Sequence, residues 1–200
     1  METKLTNDQA RHELAALLRQ KSVFFGDFLL SSGAKSTYYV DCKLTTLDPR
    51  GAWLTGQVMC ELIRGHQAAT RCEVAAVGGL TMGADPLALA IGIYSYLSNP
   101  AAPYQTFAVR KTPKSHGQTK LIEGNFKPGD SVVILDDVIT RGESTIAAIN
   151  AVLKEGGKIA FIAALVDRQE GGRKAVEALG YTVLSAFTRD ELLAQKSEKS

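Results

Sequence analysis

The first part of the chain has its apolar residues spaced as on one face of a helix. Leu14, Leu17 and Leu18 form an apolar stripe, and the residues between them are mostly polar. Thr6 and Gln9 stand three positions apart in the pattern of a capping box. The spacing therefore predicts an amphipathic helix that starts at Thr6.

A different pattern follows this helix. Residues 23–30 and 36–44 lie on either side of the turn-forming Ser31-Ser32-Gly33, which predicts a small, hairpin-like pair of strands. Asp48-Pro49 then has the composition of a helix cap and first turn, for a helix that runs to about Gly65.

The rest of the chain alternates short apolar strands with helices. The predicted strands are 74–77, 105–110, 131–136, 159–166 and 181–187. The predicted helices are 85–97 and 142–155, and a glycine-rich turn is predicted at 78–83. Such alternation predicts an α/β fold with a parallel sheet covered by helices on both faces. Ligands of such sheets bind outside the carboxyl ends of the strands.

Composition limits the class of protein. The 200 residues suffice for one domain with a substantial core, and a net charge of +2 gives no sign of nucleic-acid or membrane binding. No apolar run approaches the roughly 18 residues of a membrane span, and the N-terminus lacks an apolar signal core, so we expect a cytoplasmic protein. Cys42, Cys60 and Cys72 have no CxxC spacing and are interpreted as reduced, structural residues.

The segment 132–145 carries the most chemical information. An apolar strand ends in Asp136 and Asp137, and a loop rich in hydroxyl groups then enters a helix at Gly142. The N-terminus of a helix offers unpaired N–H groups and a positive dipole to a phosphate. Two carboxylates beside a phosphate site suit sugar hydroxyls or a hydrated Mg²⁺. The alternative is an ordinary strand end followed by a helix cap.

The order of residues in this segment resembles the phosphoribosyl pyrophosphate signature of type I phosphoribosyltransferases. The resemblance implies their fold: one domain over residues 1–200, with a mostly parallel sheet flanked by helices and a small N-terminal hood (approximately 1–45) packed on a core (approximately 46–200). The donor-binding residues that it implies are Asp136, Asp137, Val138, Ile139, Thr140, Arg141, Gly142, Glu143 and Ser144.

Three further segments resemble orotate phosphoribosyltransferases in particular. In residues 28–41 a Ser-Gly turn precedes Tyr38 and Tyr39, like the hood motif whose paired aromatics help to enclose the base. The alternative is a surface hairpin whose two tyrosines are divided between core and solvent.

The second segment, 110–124, resembles the mobile catalytic loop of this family. The resemblance implies that Arg110, Lys111, Lys114 and His116 contact the diphosphate, with Lys114 and His116 joining Asp136 and Asp137 as catalytic residues. Cationic groups placed there by loop closure would stabilise the departing pyrophosphate. It also implies a homodimer in which this loop is shared across subunits. The alternative is a solvated, charged loop.

The third segment, 165–173, follows the next strand. By resemblance, Arg168 and Thr140 contact orotate, and a forked guanidinium is a natural partner for its carboxylate. A structural salt bridge from Arg168 to Glu170 or Asp167 is the alternative.

The resemblance implies an enzyme that makes orotidine 5'-monophosphate and pyrophosphate from orotate and phosphoribosyl pyrophosphate, as a step of pyrimidine biosynthesis. Mg²⁺ would be held mainly by the diphosphate and by water near Asp136 and Asp137, without direct protein ligands. Two departures remove positive groups: Ser31 and Thr81-Met82 stand where many members have a lysine and a Tyr-Lys pair. A transferase for another base, or a regulator that only senses phosphoribosyl pyrophosphate, remain as alternatives.

Overall fold

The computed structural model describes residues 5–29, 35–112 and 120–194. In chain order the elements are α1 (Asn7–Lys21), β1 (Val23–Leu29), β2 (Lys35–Val40), α2 (Lys43–Thr46), α3 (Pro49–Thr70), β3 (Ala76–Leu80), α4 (Ala84–Ser98), β4 (Gln105–Val109), β5 (Ile122–Gly124), β6 (Ser131–Ile139), α5 (Glu143–Lys154), β7 (Lys158–Asp167), α6 (Gly172–Glu177), β8 (Val183–Thr188) and α7 (Arg189–Leu193).

The main sheet has six strands in the order β5-β4-β3-β6-β7-β8. Neighbouring strands from β4 to β8 are parallel, and only β5 pairs antiparallel, with β4. The β1 and β2 strands form a separate antiparallel pair near the N-terminus. The predicted α/β class, with a mostly parallel sheet and a small N-terminal strand pair, is confirmed.

Side chains of the central strands enter two apolar layers, one on each face of the sheet. Along β6, Val133 and Leu135 belong to the layer covered by α1, α3 and α4, whereas Val132 and Ile134 belong to the layer covered by α5. Because both faces are buried, the strand reads as a continuous apolar run without alternation. This explains why the sequence of β6 clearly predicts a buried strand.

The N-terminal helix belongs to the packing of the main sheet. The predicted capping box is confirmed, since Gln9 N–H donates to Thr6 Oγ1 and Thr6 N–H donates to Gln9 Oε1. Leu14 and Leu18 are fully buried in the same apolar layer as Phe161 of β7. The division into a hood and a core at about residue 45 therefore stays a prediction.

Two boundaries predicted in the first third of the chain are wrong. The second strand was expected to reach Leu44 but ends at Val40, where the Asp41 carboxylate accepts a hydrogen bond from Lys43 N–H at 3.1 Å and the chain enters α2. The third helix continues past Gly65 to Thr70.

The glycine-rich stretch after the first strand of the main sheet is also different from its prediction. Gly78 and Gly79 lie inside β3, and the turn is confined to Thr81, Met82 and Gly83. A Cβ atom on Gly78 would lie 2.1 Å from the Phe107 carbonyl oxygen, and one on Gly79 would lie 2.1 Å from that of Leu135. These glycines therefore permit close strand packing, and their N–H groups face neighbouring strands.

None of the helices in the described part of the chain has the length and apolar character that a bilayer crossing requires.

Candidate active site

The β6 strand extends beyond its neighbour β3 at the carboxyl edge of the sheet. Its pairing with β3 ends at Leu135, while its pairing with β7 continues to Ile139. Asp136 and Asp137 are therefore carried past the end of β3 into the edge region where ligands of parallel sheets bind. The strand was predicted to end at Asp136, and it is longer because β7 continues beside it.

Asp136 is a buried carboxylate, with 8% of its surface exposed. Burial raises the pKa of Asp136 from its usual 3.8 to about 7, and the charge of Asp137 contributes in the same direction. The Thr145 hydroxyl donates to Asp136 Oδ2 at 2.6 Å and acts against this increase. A hydrogen-bond donor or a cation placed beside Asp136 would therefore stabilise the charged form of this carboxylate.

Asp137 faces the turn after β3. Burial also raises the pKa of this carboxyl group, while the positive charge of Lys43 lowers it. Its Oδ1 accepts a hydrogen bond from Val138 N–H at 3.0 Å. A Cβ atom built on Gly83 would lie 2.2 Å from the same oxygen, so the absence of a side chain at Gly83 gives the carboxylate its space.

The loop after β6 turns into α5 at Gly142, which has a left-handed conformation (φ +83°). Gly142 has no side chain that could cap this end of the helix. The first N–H groups of a helix have no partner within the helix, so this end can bind a phosphate. A Cβ atom on Gly142 would lie 3.0 Å from the Gly172 carbonyl oxygen, so glycine suits both the conformation and the close approach of the next loop.

A cavity of about 850 Å³ opens at this edge. Its lining residues are Phe28, Leu29, Tyr39, Asp136, Val138, Thr140, Arg141, Gly142, Glu143, Ser144, Arg168 and Glu170. The structure thus brings most of the predicted donor-site residues and Arg168 to one cavity.

Four of the other predicted residues have different surroundings. Asp137 lies beside the cavity against Gly83, and the side chain of Ile139 is fully buried in the core. Arg110 follows β4, where its Nη1 lies 3.6 Å from Glu123 Oε1, and the neighbouring Lys111 is exposed. Lys114 and His116 lie outside the described residues, as does Ser31.

Arg168 lies at the end of β7, with only 5% of its surface exposed. Its Nη2 lies 2.7 Å from Glu170 Oε1, and its guanidinium carbon lies 5.1 Å from the centre of the Tyr38 ring. The expected alternative of a salt bridge to Glu170 is therefore present. The other alternative, Asp167, pairs with Arg173 at 2.8 Å instead.

Sequence reasoning expected Tyr39 to help enclose the base, but it did not single out Phe28 and Leu29, which also line the cavity from the strand pair. Phe28 and Tyr39 have ring centres 5.7 Å apart, and Leu29 is 76% exposed beside them. Tyr38 packs partly against the core while Tyr39 lines the cavity, as strand alternation indicates. That alternation was the available signal for the aromatic residues, whereas nothing in the pattern placed Glu170 at the cavity.

Comparison with known proteins gives a consistent result. The chain is 43% identical over 187 residues to the orotate phosphoribosyltransferase of Aquifex aeolicus, which covers 92% of this chain and 97% of the relative. It is 41% identical over 170 residues to the Mycobacterium tuberculosis enzyme, covering 85% of this chain and 89% of that one. No protein-family model matches the chain.

Solved structures agree. A crystal structure of Mycobacterium tuberculosis orotate phosphoribosyltransferase with Fe(III) dicitrate has a TM-score of 0.77 at 39% identity, covering 92% of this chain and 99% of that one. Another, in complex with phosphoribosyl pyrophosphate, has a TM-score of 0.73 at 37% identity, with 92% and 98% covered. An adenine phosphoribosyltransferase from Leishmania tarentolae, only 10% identical with a TM-score of 0.59, shares the fold alone. The family resemblance drawn from the motifs is confirmed: the chain belongs to the orotate phosphoribosyltransferase family.

Proposed function

We propose that the cavity at the carboxyl edge of the sheet transfers the phosphoribosyl group of phosphoribosyl pyrophosphate to orotate. The observation that carries the residue assignment is the position of Asp136 and the uncapped start of α5 in one cavity with Arg168. In the reaction, the bond from the anomeric carbon to the diphosphate oxygen breaks, and a bond from the same carbon to a ring nitrogen of orotate forms. The products are orotidine 5'-monophosphate and pyrophosphate.

The donor would be held at both ends of its ribose. The N–H groups at the start of α5, with the hydroxyls of Thr140 and Ser144, bind the 5-phosphate. Asp136 and Asp137 accept hydrogen bonds from the ribose hydroxyls, and their charge favours the positive character that develops at the anomeric carbon. Binding of the remote phosphate positions the reacting carbon.

Mg²⁺ fits the donor set of this site. Asp136 and Asp137 are adjacent, largely buried carboxylates whose pKa values are both raised, and carboxylate oxygens are preferred ligands of Mg²⁺. The ion would lie near them, bound mainly by the diphosphate and water. When bound, it neutralises charge on the diphosphate.

The base would occupy the side of the cavity formed by the strand pair and the end of β7. Tyr39 and Phe28 present aromatic surface to a planar ring, and Arg168 supplies a cation for the orotate carboxylate. Thr140, which also lines the cavity, would contact orotate as well. Arg110, Lys111, Lys114 and His116 would contact the diphosphate, with Lys114 and His116 stabilising its departure.

A homodimer is proposed from the surface of α4. On the side of this helix away from the core, Leu89, Ile93, Tyr96 and Leu97 are all at least half exposed, and Trp53 of α3 lies nearby against Tyr94. Spacings of four, seven and eight residues place the four α4 side chains on one helix face. A contiguous apolar face of this kind is typical of a protein interface. A second copy of the chain would cover it and lend its 110–124 loop to the neighbouring site.

The reaction is tested by following orotate absorbance in the ultraviolet with purified protein, phosphoribosyl pyrophosphate and Mg²⁺. Loss of absorbance that requires all three supports the proposal. No loss from a folded protein that still binds the donor would refute it, and would favour another base or a sensing role.

Loop sharing is tested by mixing two inactive variants. Lys114→Ala removes the loop cation and Asp137→Asn removes a ribose contact, and each should lower turnover by roughly 10²- to 10³-fold. Mixed dimers would contain one site free of both changes, so activity should return toward one quarter of the wild-type value. Lys120→Ala, in the same loop, is the control and should remain active. Failure of the mixture to regain activity, with mixed dimers shown to form, would contradict loop sharing.

A further inference from the structure

The guanidinium group of Arg168 has two buried donors without well-directed acceptors. Neither Nε nor Nη2 makes a hydrogen bond within the described residues, although Nη2 lies 2.7 Å from Glu170 Oε1. The contact with Glu170 is thus close but poorly aligned. Buried donors without an aligned acceptor destabilise the folded protein, and a better-placed acceptor would remove this cost.

These two donors have a particular geometry. Nε and Nη2 lie on the same side of a guanidinium group and form the fork that a carboxylate binds with both oxygens. In the structure this fork is covered and is inaccessible to solvent. Glu170 touches one of its two nitrogens, so the fork is occupied by a carboxylate that does not satisfy it.

The backbone around Glu170 explains why it lies there. Asp167 is held by Arg173, and its Oδ1 accepts a hydrogen bond from Gln169 N–H at 2.8 Å. Gln169 has a left-handed conformation (φ +58°), which turns the chain back toward Arg168. The Tyr38 hydroxyl of β2 then donates to Glu170 Oε1 at 3.0 Å. Glu170 is therefore placed by the loop and linked to the strand pair.

The two partners differ in how easily each leaves the pair. The side chain of Glu170 is 29% exposed, so water can solvate its carboxylate after a small movement. The side chain of Arg168 is 6% exposed and requires a replacement anion, because an uncompensated buried charge is costly. Exchange of one carboxylate for another on Arg168 is therefore favoured over simple opening.

From these contacts we infer that Glu170 is an internal ligand of Arg168 that the carboxylate of orotate displaces. This inference rests on the proposed role of Arg168 in binding orotate. Glu170 then acts as a specificity-determining residue. A base with a carboxylate replaces it and satisfies both nitrogens of the fork, whereas a base without one leaves Glu170 in place.

The test is Glu170→Gln, which keeps the size of the side chain and its acceptor for Tyr38 but removes the competing charge. We expect two constants to fall by about 3- to 10-fold: the dissociation constant of orotidine 5'-monophosphate, measured by calorimetry, and the KM for orotate. This is the range expected for an ion pair between a partly exposed and a buried group. The KM for phosphoribosyl pyrophosphate and the inhibition constant of uracil should change less than about twofold, because neither ligand competes with Glu170.

Glu177→Gln is the matched control, since Glu177 also faces an arginine, 3.7 Å from Arg173 Nη1, but lies outside the cavity. It should leave these constants unchanged. An unchanged or weaker affinity for the nucleotide in Glu170→Gln would overturn the inference, as would an equal gain for uracil.

Arg168→Lys separates this inference from the proposed function. Loss of the fork should raise the KM for orotate by about tenfold or more. If Arg168→Lys leaves this KM unchanged, the proposed role of Arg168 fails. If it raises the KM while Glu170→Gln has no effect, only the displacement of Glu170 is refuted.

Discussion

The two halves of the cavity are built in different ways. The half proposed to bind the donor, or donor half, is formed by Asp136, Asp137 and the first turn of α5, and it is shaped by backbone and by glycines that allow close packing. The half proposed to bind the base, or base half, is formed by Tyr39, Arg168 and Glu170 and is held by side-chain contacts from Tyr38 of the strand pair to the β7 end. A backbone-built site tolerates little movement, whereas a side-chain network can exchange partners. The difference indicates that the donor half is rigid and the base half is adjustable.

The donor half consists of a strand end, a turn and a helix start, which are elements of the backbone fold. The base half depends on particular side chains and on the two-stranded sheet. Changes to the two halves should therefore have effects of different size.

The largest effect is expected for Asp136→Asn in the donor half. Loss of the carboxylate should lower kcat/KM by roughly 10²- to 10³-fold. The stability of the variant relative to wild type should instead increase as pH rises. The pKa of Asp136 is about 7 in the folded protein against its usual 3.8, so the folded state binds more protons between these values. Wild-type stability therefore decreases as pH rises through this range.

Asparagine does not titrate, so the stability of the variant relative to wild type should increase by about 2 to 3 kcal/mol between pH 5 and pH 8. Urea unfolding of the ligand-free proteins at the two pH values measures this difference. Asp8→Asn, at an exposed position on α1, is the control and should show little change. A stability difference between variant and wild type that is the same at both pH values would show that folding does not raise the pKa of Asp136.

A smaller effect is expected for Gly83→Ala, which places a methyl group against Asp137 Oδ1. The carboxylate must move, so the KM for phosphoribosyl pyrophosphate should rise about 10-fold or more, and the free energy of unfolding should fall by about 1 to 3 kcal/mol. Steady-state kinetics and urea unfolding measure the two quantities. Gly65→Ala in α3 is the control, because a Cβ atom there meets nothing within 4 Å. It should be neutral or stabilising by up to about 1 kcal/mol. An unaffected Gly83 variant would mean that the donor half is less rigid than proposed.

The smallest effect is expected for Tyr38→Phe in the base half. The change removes only the hydroxyl that donates to Glu170, so stability should fall by about 1 kcal/mol or less. Glu170 becomes easier to displace, and the dissociation constant of orotidine 5'-monophosphate should decrease by less than about threefold. Calorimetry measures this constant, with Tyr96→Phe on α4 as the control. A clear increase would contradict the view that Glu170 competes for Arg168.

The sequence predicted the parts of the fold that have a local cause. Thr6 and Gln9 cap α1 through contacts three residues apart, and the continuous apolar run of β6 reflects burial on both faces. The structure around Asp136 could be predicted because a strand end, a loop and a helix start follow one another within a few residues.

The parts that were mispredicted depend on distant neighbours. Gly78 and Gly79 were expected in a turn, but they lie in β3 because strands β4 and β6 approach closely. The short helices α6 and α7 were not predicted, since they span only Gly172–Glu177 and Arg189–Leu193. A helix this short is not stable by itself and relies on tertiary contacts.

The contact between Arg168 and Glu170 could be named only as one of two possible salt bridges. Its selection depends on Arg173, which takes Asp167, and on the left-handed conformation of Gln169. The raised pKa of Asp136 could not be predicted either, because it arises from burial in the folded chain.

Hydrogen bonds join the loops after β6 and β7, so the sheet fixes the distance between these loops. Gly172 N–H donates to the Thr140 carbonyl oxygen at 2.9 Å, and Arg168 N–H donates to that of Ile139 at 3.0 Å. The backbone of the proposed phosphate loop and the backbone that carries Arg168 therefore lie on adjacent strands, about 4.8 Å apart, a spacing that hydrogen bonding between strands fixes. An engineer seeking a transferase for a longer or shorter base should leave the sheet untouched and rebuild the two-stranded unit that faces it.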